Sequence, residues 1–505
     1  MRVHKWWTLL AVSIGTFMLL LDVTVVNVAL PRIQGDLRAG FDELRWVIDA
    51  YALTLAATLL IFGSLADRFG RRRVFGIGLL GFAAASLACG LAWDPLVLDV
   101  FRGVQGLGGA AMLATSLALI AATYEGRDRN TAFAVWGATT AAAVALGPLV
   151  GGALIEALSW EWVFFVNVPI GLATAVLVAR AVPESRDPSA SGRPDIPGLV
   201  TLAGSMSLLV VALFRGGEEG WGSTLIVGLL VGAVALLVAF VAIEHRRAQP
   251  LLDLALFRIP STWGASLGIL LTGVSVFAML TFLVFYIQNA LGYDALATGL
   301  RLFPLTIASF FAAAIAGRLA DRVPLRLLIA FGLAVSGAGL LLSRQVEVGS
   351  DWTALLAGGI LIGIGAGAVN PSVAAAALGA VPVAKSGMAS GLNGTFRILG
   401  VAVGVAALGT ILQSEVSDSL AASLPRAPEG LSEAVATGNV AAARAAAPPG
   451  LESQVAAAAE KAFVSGLDTV FLVAALVAFT GALLSLVLVR ARDLTTVEPE
   501  AVPAT

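Results

Sequence analysis

Residues 63–73 read Gly-Ser-Leu-Ala-Asp-Arg-Phe-Gly-Arg-Arg-Arg, and residues 317–322 read Gly-Arg-Leu-Ala-Asp-Arg. Both contain the pattern G-x-L-A-D-R, and each closes an apolar run of bilayer-spanning type. Gly63 and Gly70 permit close helix contact and a short turn. Asp67 can cap the next helix or pair with an arginine across an interface, and a bond made in one conformation only acts as a latch. A plain cytoplasmic anchor accounts for Arg72 and Arg73 but leaves Asp67 unexplained. Gly63, Asp67, Arg68, Gly70, Arg71 and Arg72, with Asp321 and Arg322 in the repeat, are therefore read as a cytoplasmic gate.

Working outward from the repeat, runs of about 20 apolar residues suit a bilayer span. Fourteen can be drawn, at approximately 7–30, 46–66, 74–93, 96–120, 131–157, 161–180, 197–214, 222–243, 262–288, 302–317, 325–343, 353–378, 388–412 and 467–489. The motif follows the second and the tenth, the same place in two six-span blocks, with two spans between the blocks. Of the 31 Lys and Arg residues, 20 fall on the side of the N-terminus and nine on the other, with Arg102 and Arg397 inside spans. Positive loops stay in the cytoplasm, so both termini are placed inside.

The expected fold is an all-α integral membrane protein of two six-helix bundles plus two additional central helices. Residues 1–180 form the first bundle. Residues 181–260 hold the two linker spans and cytoplasmic loops. Residues 261–492 form the second bundle, with a long, partly helical outer loop at about 413–466, and 493–505 a disordered cytoplasmic tail. Repeated helical halves are a common plan of secondary transporters.

Composition agrees. The chain is 58% hydrophobic and 13% charged, too little charge to wet a soluble surface of this size. A net charge of −2 argues against a nucleic-acid partner. One cysteine, Cys89, and two histidines exclude an internal disulfide and a Cys/His metal cage. Cys89 reads as a small buried hydrophobe. The N-terminal apolar run exceeds a signal-peptide core and no cleavage site follows it, so it is read as a retained span.

No Gly-Lys pair occurs, which removes the phosphate-binding loop of ATP-driven pumps. The G-x-G-x-x-G string at Gly76–Gly81 lies inside an apolar span and reads as helix packing. No catalytic constellation is present, so the chain is not expected to be an enzyme, and no cofactor is expected. Energy must come from a gradient, and protons suit titratable groups inside the membrane.

Asp22 stands well inside the first span, and Arg102 inside the fourth, in Arg102-Gly103-Val104-Gln105-Gly106-Leu107-Gly108-Gly109. Arg102, Gln105, Gly106 and Gly109 share one helical face. At 1.5 Å per residue, Arg102 is about 10 Å and Asp22 roughly 13 Å from the outer ends of their helices. The two charges are expected in one pocket. Desolvation there strengthens proton binding to Asp22, and the neighbouring cation weakens it. Asp49, nearer the outer end of the second span, is a candidate exit step or a solvated interfacial residue. Asn27, Gln105 and Arg397 are candidates for a polar cavity, Arg397 either meeting an anionic substrate group or pairing locally. In the fifth span, Gly147, Pro148, Gly151 and Gly152 describe a kinked, glycine-lined helix suited to a seal between halves.

These strings resemble the signature motifs of the major facilitator superfamily, and among its members the drug:proton antiporters with fourteen spans. The resemblance rests on Asp22 to Pro31, Gly63 to Arg73, Arg102 to Gly109, Gly147 to Gly152 and the Trp160-to-Gly171 string. In the second half it adds Tyr286 to Gln288, Gly292-Tyr293 and Ser390 to Gly404. It covers nearly the whole chain. Glu161 departs from the pattern, which usually has Arg between the two tryptophans. The resemblance implies the major facilitator fold and efflux of amphipathic drugs or antibiotics in exchange for protons. The expected partners are a small-molecule substrate, protons and membrane lipid, and the chain is expected to act as a monomer in a bacterial cell membrane. An uptake symporter on the same fold is the alternative, disfavoured by the fifth span. A non-transporting sensor would carry an intramembrane Asp and Arg at an energetic cost without use.

Overall fold

The computed structural model describes residues 2–188, 195–247, 249–424, 431–439, 443–444, 447 and 451–494. Among these residues the secondary structure is helical throughout. The first six long helices are α1 (Arg2–Leu37), α2 (Phe41–Phe69), α3 (Arg71–Gly90), α4 (Pro95–Thr123), α5 (Gly126–Ala157) and α6 (Trp162–Ala181). Two follow between the halves, α7 (Ile196–Glu219) and α8 (Thr224–Arg246). The last six are α9 (Pro260–Ala290), α10 (Ala295–Leu319), α11 (Leu325–Ser343), α12 (Leu356–Gly379), α13 (Ser386–Ser423) and α14 (Glu452–Leu488).

Thirteen of these are long and apolar enough to cross a membrane, and α5 makes fourteen when its two bent parts count as one span. A bilayer leaves no water for unpaired backbone, so each crossing satisfies its hydrogen bonds internally. Helix starts use short polar caps. Asp94 accepts from Leu96 N at 2.9 Å ahead of Pro95, and Asp294 accepts from Ala297 N at 2.7 Å. The outer faces are greasy: Ile77, Val238 and Leu483 are all more than 60% exposed, as lipid-facing side chains must be. Burial separates centre from periphery. In α4 83% of the apolar window is buried, against 17% in α8, so α4 is central and α8 faces lipid.

The two halves pack by matching rules. Gly147 and Gly151 of α5 lie against Thr24 and Val25 of α1, and Gly400 and Gly404 of α13 lie against Leu270 and Val274 of α9. A side chain at Gly400 would meet the Leu270 carbonyl oxygen at 2.2 Å, so only glycine permits the approach. Between halves, α2 packs on α13 and α5 on α10, again a matched pair.

Three expectations change. The outer segment 413–466 is partly helical as expected, but most of its described helix continues the flanking spans, since α13 runs to Ser423 and α14 begins at Glu452, with a short helix at Leu431–Ala436 between them. Alanine-rich sequence sustains helix beyond the apolar span. The tenth span is longer than its apolar run suggests, at Leu296–Leu319. Part of the C-terminal tail is held: Asp493 Oδ2 accepts from Ser261 N at 3.3 Å and from Ser261 Oγ at 2.9 Å. Residues 495–505 of the tail lie outside the described residues.

Candidate functional site

Five helices of the first half meet at one buried polar cluster. Asp22 comes from α1, Tyr51 from α2, Ser86 from α3, Arg102 and Gln105 from α4, and Asn167 from α6. Each is at most 2% exposed. Arg102 Nη1 donates to Asp22 Oδ2 at 2.6 Å and to Gln105 Oε1 at 2.6 Å. Arg102 Nε donates to the Val47 carbonyl at 2.9 Å. Asp22 Oδ1 accepts from Gln105 Nε2 at 2.9 Å and from Asn167 Nδ2 at 2.8 Å. Gln105 Nε2 also reaches Ser86 Oγ at 2.8 Å. The guanidinium carbon lies 4.3 Å from the centroid of the Tyr51 ring, whose hydroxyl is buried without a partner.

The cluster exists because α4 is glycine-lined where α2 crosses it. A side chain at Gly106 would meet Thr54 Oγ1 at 2.1 Å and the Tyr51 carbonyl oxygen at 2.5 Å. Removing one partner of such a buried ion pair costs about 3–5 kcal/mol, because the other charge is left buried and unpaired. It is built for an ionised Asp22: three donors converge on its two oxygens, and all three come from side chains that remain donors at any neutral pH. The cluster thereby ties Asp22 of α1 to α4 and α6. A proton on Asp22 removes the charge that Arg102 pairs with and so weakens the contacts to Arg102, Gln105 and Asn167.

The gate residues meet at the cytoplasmic ends of the two halves. Arg71 donates from Nε at 2.9 Å and Nη2 at 2.7 Å to Asp67 Oδ1. Asp67 also accepts from Gly387 N at 2.7 Å and Met388 N at 2.7 Å, and so caps α13 in the other half. Arg71 Nη2 donates to the carbonyls of Val383 at 2.8 Å and Ala384 at 2.6 Å. Gly63 lies against the Gly387 carbonyl, where a side chain would come within 2.3 Å. Gly70, with φ +110, makes the turn into α3. Glu184 accepts from the N–H groups of Arg72 and Arg73 at 3.0 and 3.2 Å and so caps that helix. The repeat also reaches the other half, though through exposed side chains rather than a helix cap: Asp321 accepts from Asn130 Nδ2 at 2.7 Å and lies 3.2 Å from Arg127 Nε. Arg68 is half-buried and engaged with a neighbour, and Arg322 is exposed.

Other candidates sit elsewhere. Asp49 faces Arg45 at 3.4 Å and lines a small cavity with Trp46, Leu53, Val211, Phe214 and Arg215; among the described contacts it does not join the Asp22 cluster. Asn27 is exposed, about 140° round α1 from Asp22, so it does not join it either. Gly147 and Gly151 seat α5 on α1 of their own half rather than on the other half, and no side-chain contact would be made at Gly152. The inter-half contacts of α5 lie nearer the cytoplasm, at Gly137 against Pro371 and at Ala134 against Gly317. The α5 backbone bends by 46° between Gly126–Val144 and Leu149–Ala157; the side chain of Pro148, in this stretch, lies outside the described residues. Arg397 is buried on α13 beside the Trp136 ring, at 5.9 Å.

Sequence reasoning missed Asn167, Ser86 and Tyr51. Asn167 carried a faint signal, an amide between Val166 and Val168 at the head of an apolar run. Ser86 carried none.

Residues 12–405 match the family described as the Major Facilitator Superfamily. The tetracenomycin C resistance and export protein of Streptomyces glaucescens is 34% identical over 497 residues, covering 96% of this chain and 92% of its own. The puromycin resistance protein of Streptomyces alboniger is 37% identical, covering 81% and 82%. The multidrug efflux pump LfrA of Mycolicibacterium smegmatis is 32% identical, covering 95% of each. Among solved structures, the proton:xylose symporter XylE superposes with a TM-score of 0.62 at 14% identity, over 97% of this chain and 96% of that one. The human organic anion transporter MFSD10 gives 0.61 at 14% identity, over 94% and 99%.

Proposed function

The chain belongs to the major facilitator superfamily, and from that membership we propose that it exports small amphipathic compounds, drugs or antibiotics among them, in exchange for protons. The observation that carries the reading is the Asp22–Arg102 pair with its Gln105 and Asn167 donors, a buried carboxylate that ties α1 to α4 and α6 and whose neutralisation weakens that tie. Export itself is supported by the relatives, which are resistance, export and efflux proteins matching between 81% and 96% of the chain.

The cycle follows from the two sites together. With Asp22 ionised, the cytoplasmic ends are closed by Asp67 on α13 and Asp321 on α5. A proton arriving from outside neutralises Asp22 and loosens α1 from α4. Opening toward the cytoplasm then needs the Asp67 and Asp321 contacts to release, and substrate binding there lets the proton leave inward. The multi-pass chain works as a monomer in a bacterial cell membrane, with the proton gradient as its only energy source and no cofactor.

The test uses the purified chain in proteoliposomes with an imposed pH gradient. Asp22→Asn retains downhill movement of a fluorescent amphipathic dye and loses the response to the gradient. An Asp22→Asn protein that still drives dye uphill at the normal rate would refute the coupling role. Export-direction exchange separates this reading from an uptake symporter.

A further inference from the structure

Arg397 is the exception among the buried charges. Asp22 pairs with Arg102, and Asp67 with Arg71. Asp195 pairs with Arg247, Glu244 accepts from Leu252 N, and Asp187 has partners. The Arg397 guanidinium, in a residue only 8% exposed, makes no hydrogen bond or ion pair with any described residue. Its neighbour is the Trp136 ring at 5.9 Å. The two alternatives open at the sequence level, local pairing or a substrate anion, are thus no longer equal.

An arginine inside a membrane is expensive unless something pairs with it. Its place in the fold says where the partner comes from. Arg397 is eleven residues into α13, about 17 Å from the cytoplasmic end and so near the middle of a roughly 30 Å hydrocarbon core. Trp136 is ten residues into α5, about 15 Å deep by the same rise. One belongs to each half, so the pair spans the central interface. The Trp136 ring is fixed by its N–H on Thr16 Oγ1 at 3.2 Å.

The same stripe of α13 holds further unpaired groups. Ser390, Asn393 and Arg397 stand at i, i+3 and i+7, one helical face. Ser390 Oγ and Asn393 Oδ1 are buried without hydrogen-bond partners. A guanidinium, a hydroxyl donor and an amide oxygen on one face, with a flat ring opposite the guanidinium, match an anion on a planar apolar body. Asn393 Oδ1 can take a hydroxyl or N–H next to that anion.

We propose that Arg397, with Ser390, Asn393 and Trp136, forms a subsite for the anionic group of the cargo, a carboxylate or an ionised phenol or enol on an aromatic frame. This rests on the export reading above and adds the sign of the cargo's charge. The Asp22 carboxylate is already taken by Arg102, Gln105 and Asn167 and is not paired with Arg397.

Fluorescein and rhodamine 6G share a xanthene ring and differ in charge, which makes them the probes. Their binding to the intact chain in nanodiscs is read by fluorescence polarisation, with no gradient imposed. The expected result is fluorescein binding weakened about tenfold or more by Arg397→Gln, partly kept by Arg397→Lys, with rhodamine 6G unchanged or tighter. The lysine variant keeps the charge and serves if the glutamine variant does not fold. Fluorescein binding that is insensitive to Arg397→Gln overturns the proposal. So does equal loss of both dyes in both variants, which marks a structural arginine, and so does a wild-type chain that binds rhodamine 6G alone. Gradient-driven movement of both dyes in proteoliposomes is measured in parallel. Movement of rhodamine 6G keeps the export reading whatever fluorescein binding shows, and a wild type that moves neither rhodamine 6G nor fluorescein against the gradient sinks that reading separately.

Discussion

Removing the Asp67 carboxylate should open the cytoplasmic side. Asp67 accepts two inter-half hydrogen bonds, from Gly387 N and Met388 N, both at 2.7 Å and shielded from water. A hydrogen bond to a charged group contributes roughly 1.5–3 kcal/mol, so the two are worth about 3 kcal/mol at the low end. The contacts exist only when the halves meet at this end, and the whole amount weighs on the closed state. About 3 kcal/mol is a factor of roughly 150 in the equilibrium. A 99:1 bias toward closure would fall to near parity in Asp67→Ala. Asp67→Asn keeps one acceptor oxygen and should lose about half. Arg71 also reaches across, to Val383 and Ala384, so Arg71→Gln should act in the same direction and non-additively with Asp67→Ala. Spin labels at Arg73→Cys and Arg322→Cys, both exposed and one on each half, report the opening by electron–electron distance. Cys89, the sole cysteine, is buried and is replaced by alanine for the purpose. An Asp67→Ala distance distribution identical to that of the parent would show that closure does not depend on the capped helix.

Asn167→Ala removes one of three donors to Asp22, a loss of about 1.5 kcal/mol or tenfold, and should shift the pH profile of exchange with little change in substrate affinity; an unmoved profile separates Asn167 from coupling. Gly400→Leu drives a side chain into the Leu270 carbonyl and should lower the melting temperature by more than a leucine at Gly152, where nothing lies within 4 Å; equal effects would remove the close-packing argument. Burial raises the proton affinity of the Asp253 carboxyl, but its bonds to Lys385 Nζ at 2.6 Å and Ala255 N at 2.9 Å prevail and hold it below the usual carboxylate range. Its folded-state value is depressed, so the contribution is present above the ordinary carboxylate value near 4 and fades as pH falls through the lowered one. Melting curves between pH 5 and pH 3 should show a larger loss in the parent than in Asp253→Asn, and parallel losses would count against the Lys385 contact.

The charged parts of both sites were legible because ionisable residues inside apolar runs have few ordinary uses. Asp22 and Arg102 could be matched in depth from the helical rise alone, and the G-x-L-A-D-R repeat set the six-two-six plan. What could not be read was the neutral polar half of the cluster. Asn167 lies 145 residues from Asp22 and Ser86 lies 81 from Asn167, and nothing in either local sequence distinguishes a ligand from a packing residue. Asp67 was legible as a group at the interface but not in its partner: the arginine it pairs with, Arg71, is on its own half, and only tertiary contact places the N–H groups of Gly387 and Met388 above it. Asp49 shows the converse, a carboxylate at a plausible depth that an i,i+4 arginine on its own helix takes up. Helix ends at 413–466 escaped because polarity marks where the membrane stops, not where the helix does.

The two extra helices break the likeness between the halves in one more respect. Helix α7 packs on both α2 and α13 and so covers one seam where the halves meet. Arg45 donates to the Phe214 carbonyl there, and Trp221 Nε1 reaches Thr410 Oγ1 at 2.9 Å. The matching seam of α5 and α10 is shared with α12 on the inside but has no lipid-side helix among the described residues. A greasy molecule dissolved in the bilayer therefore meets a wall on one flank of the protein and a bare seam on the other. Cargo that entered between the halves from the membrane would have to come by the α5–α10 flank.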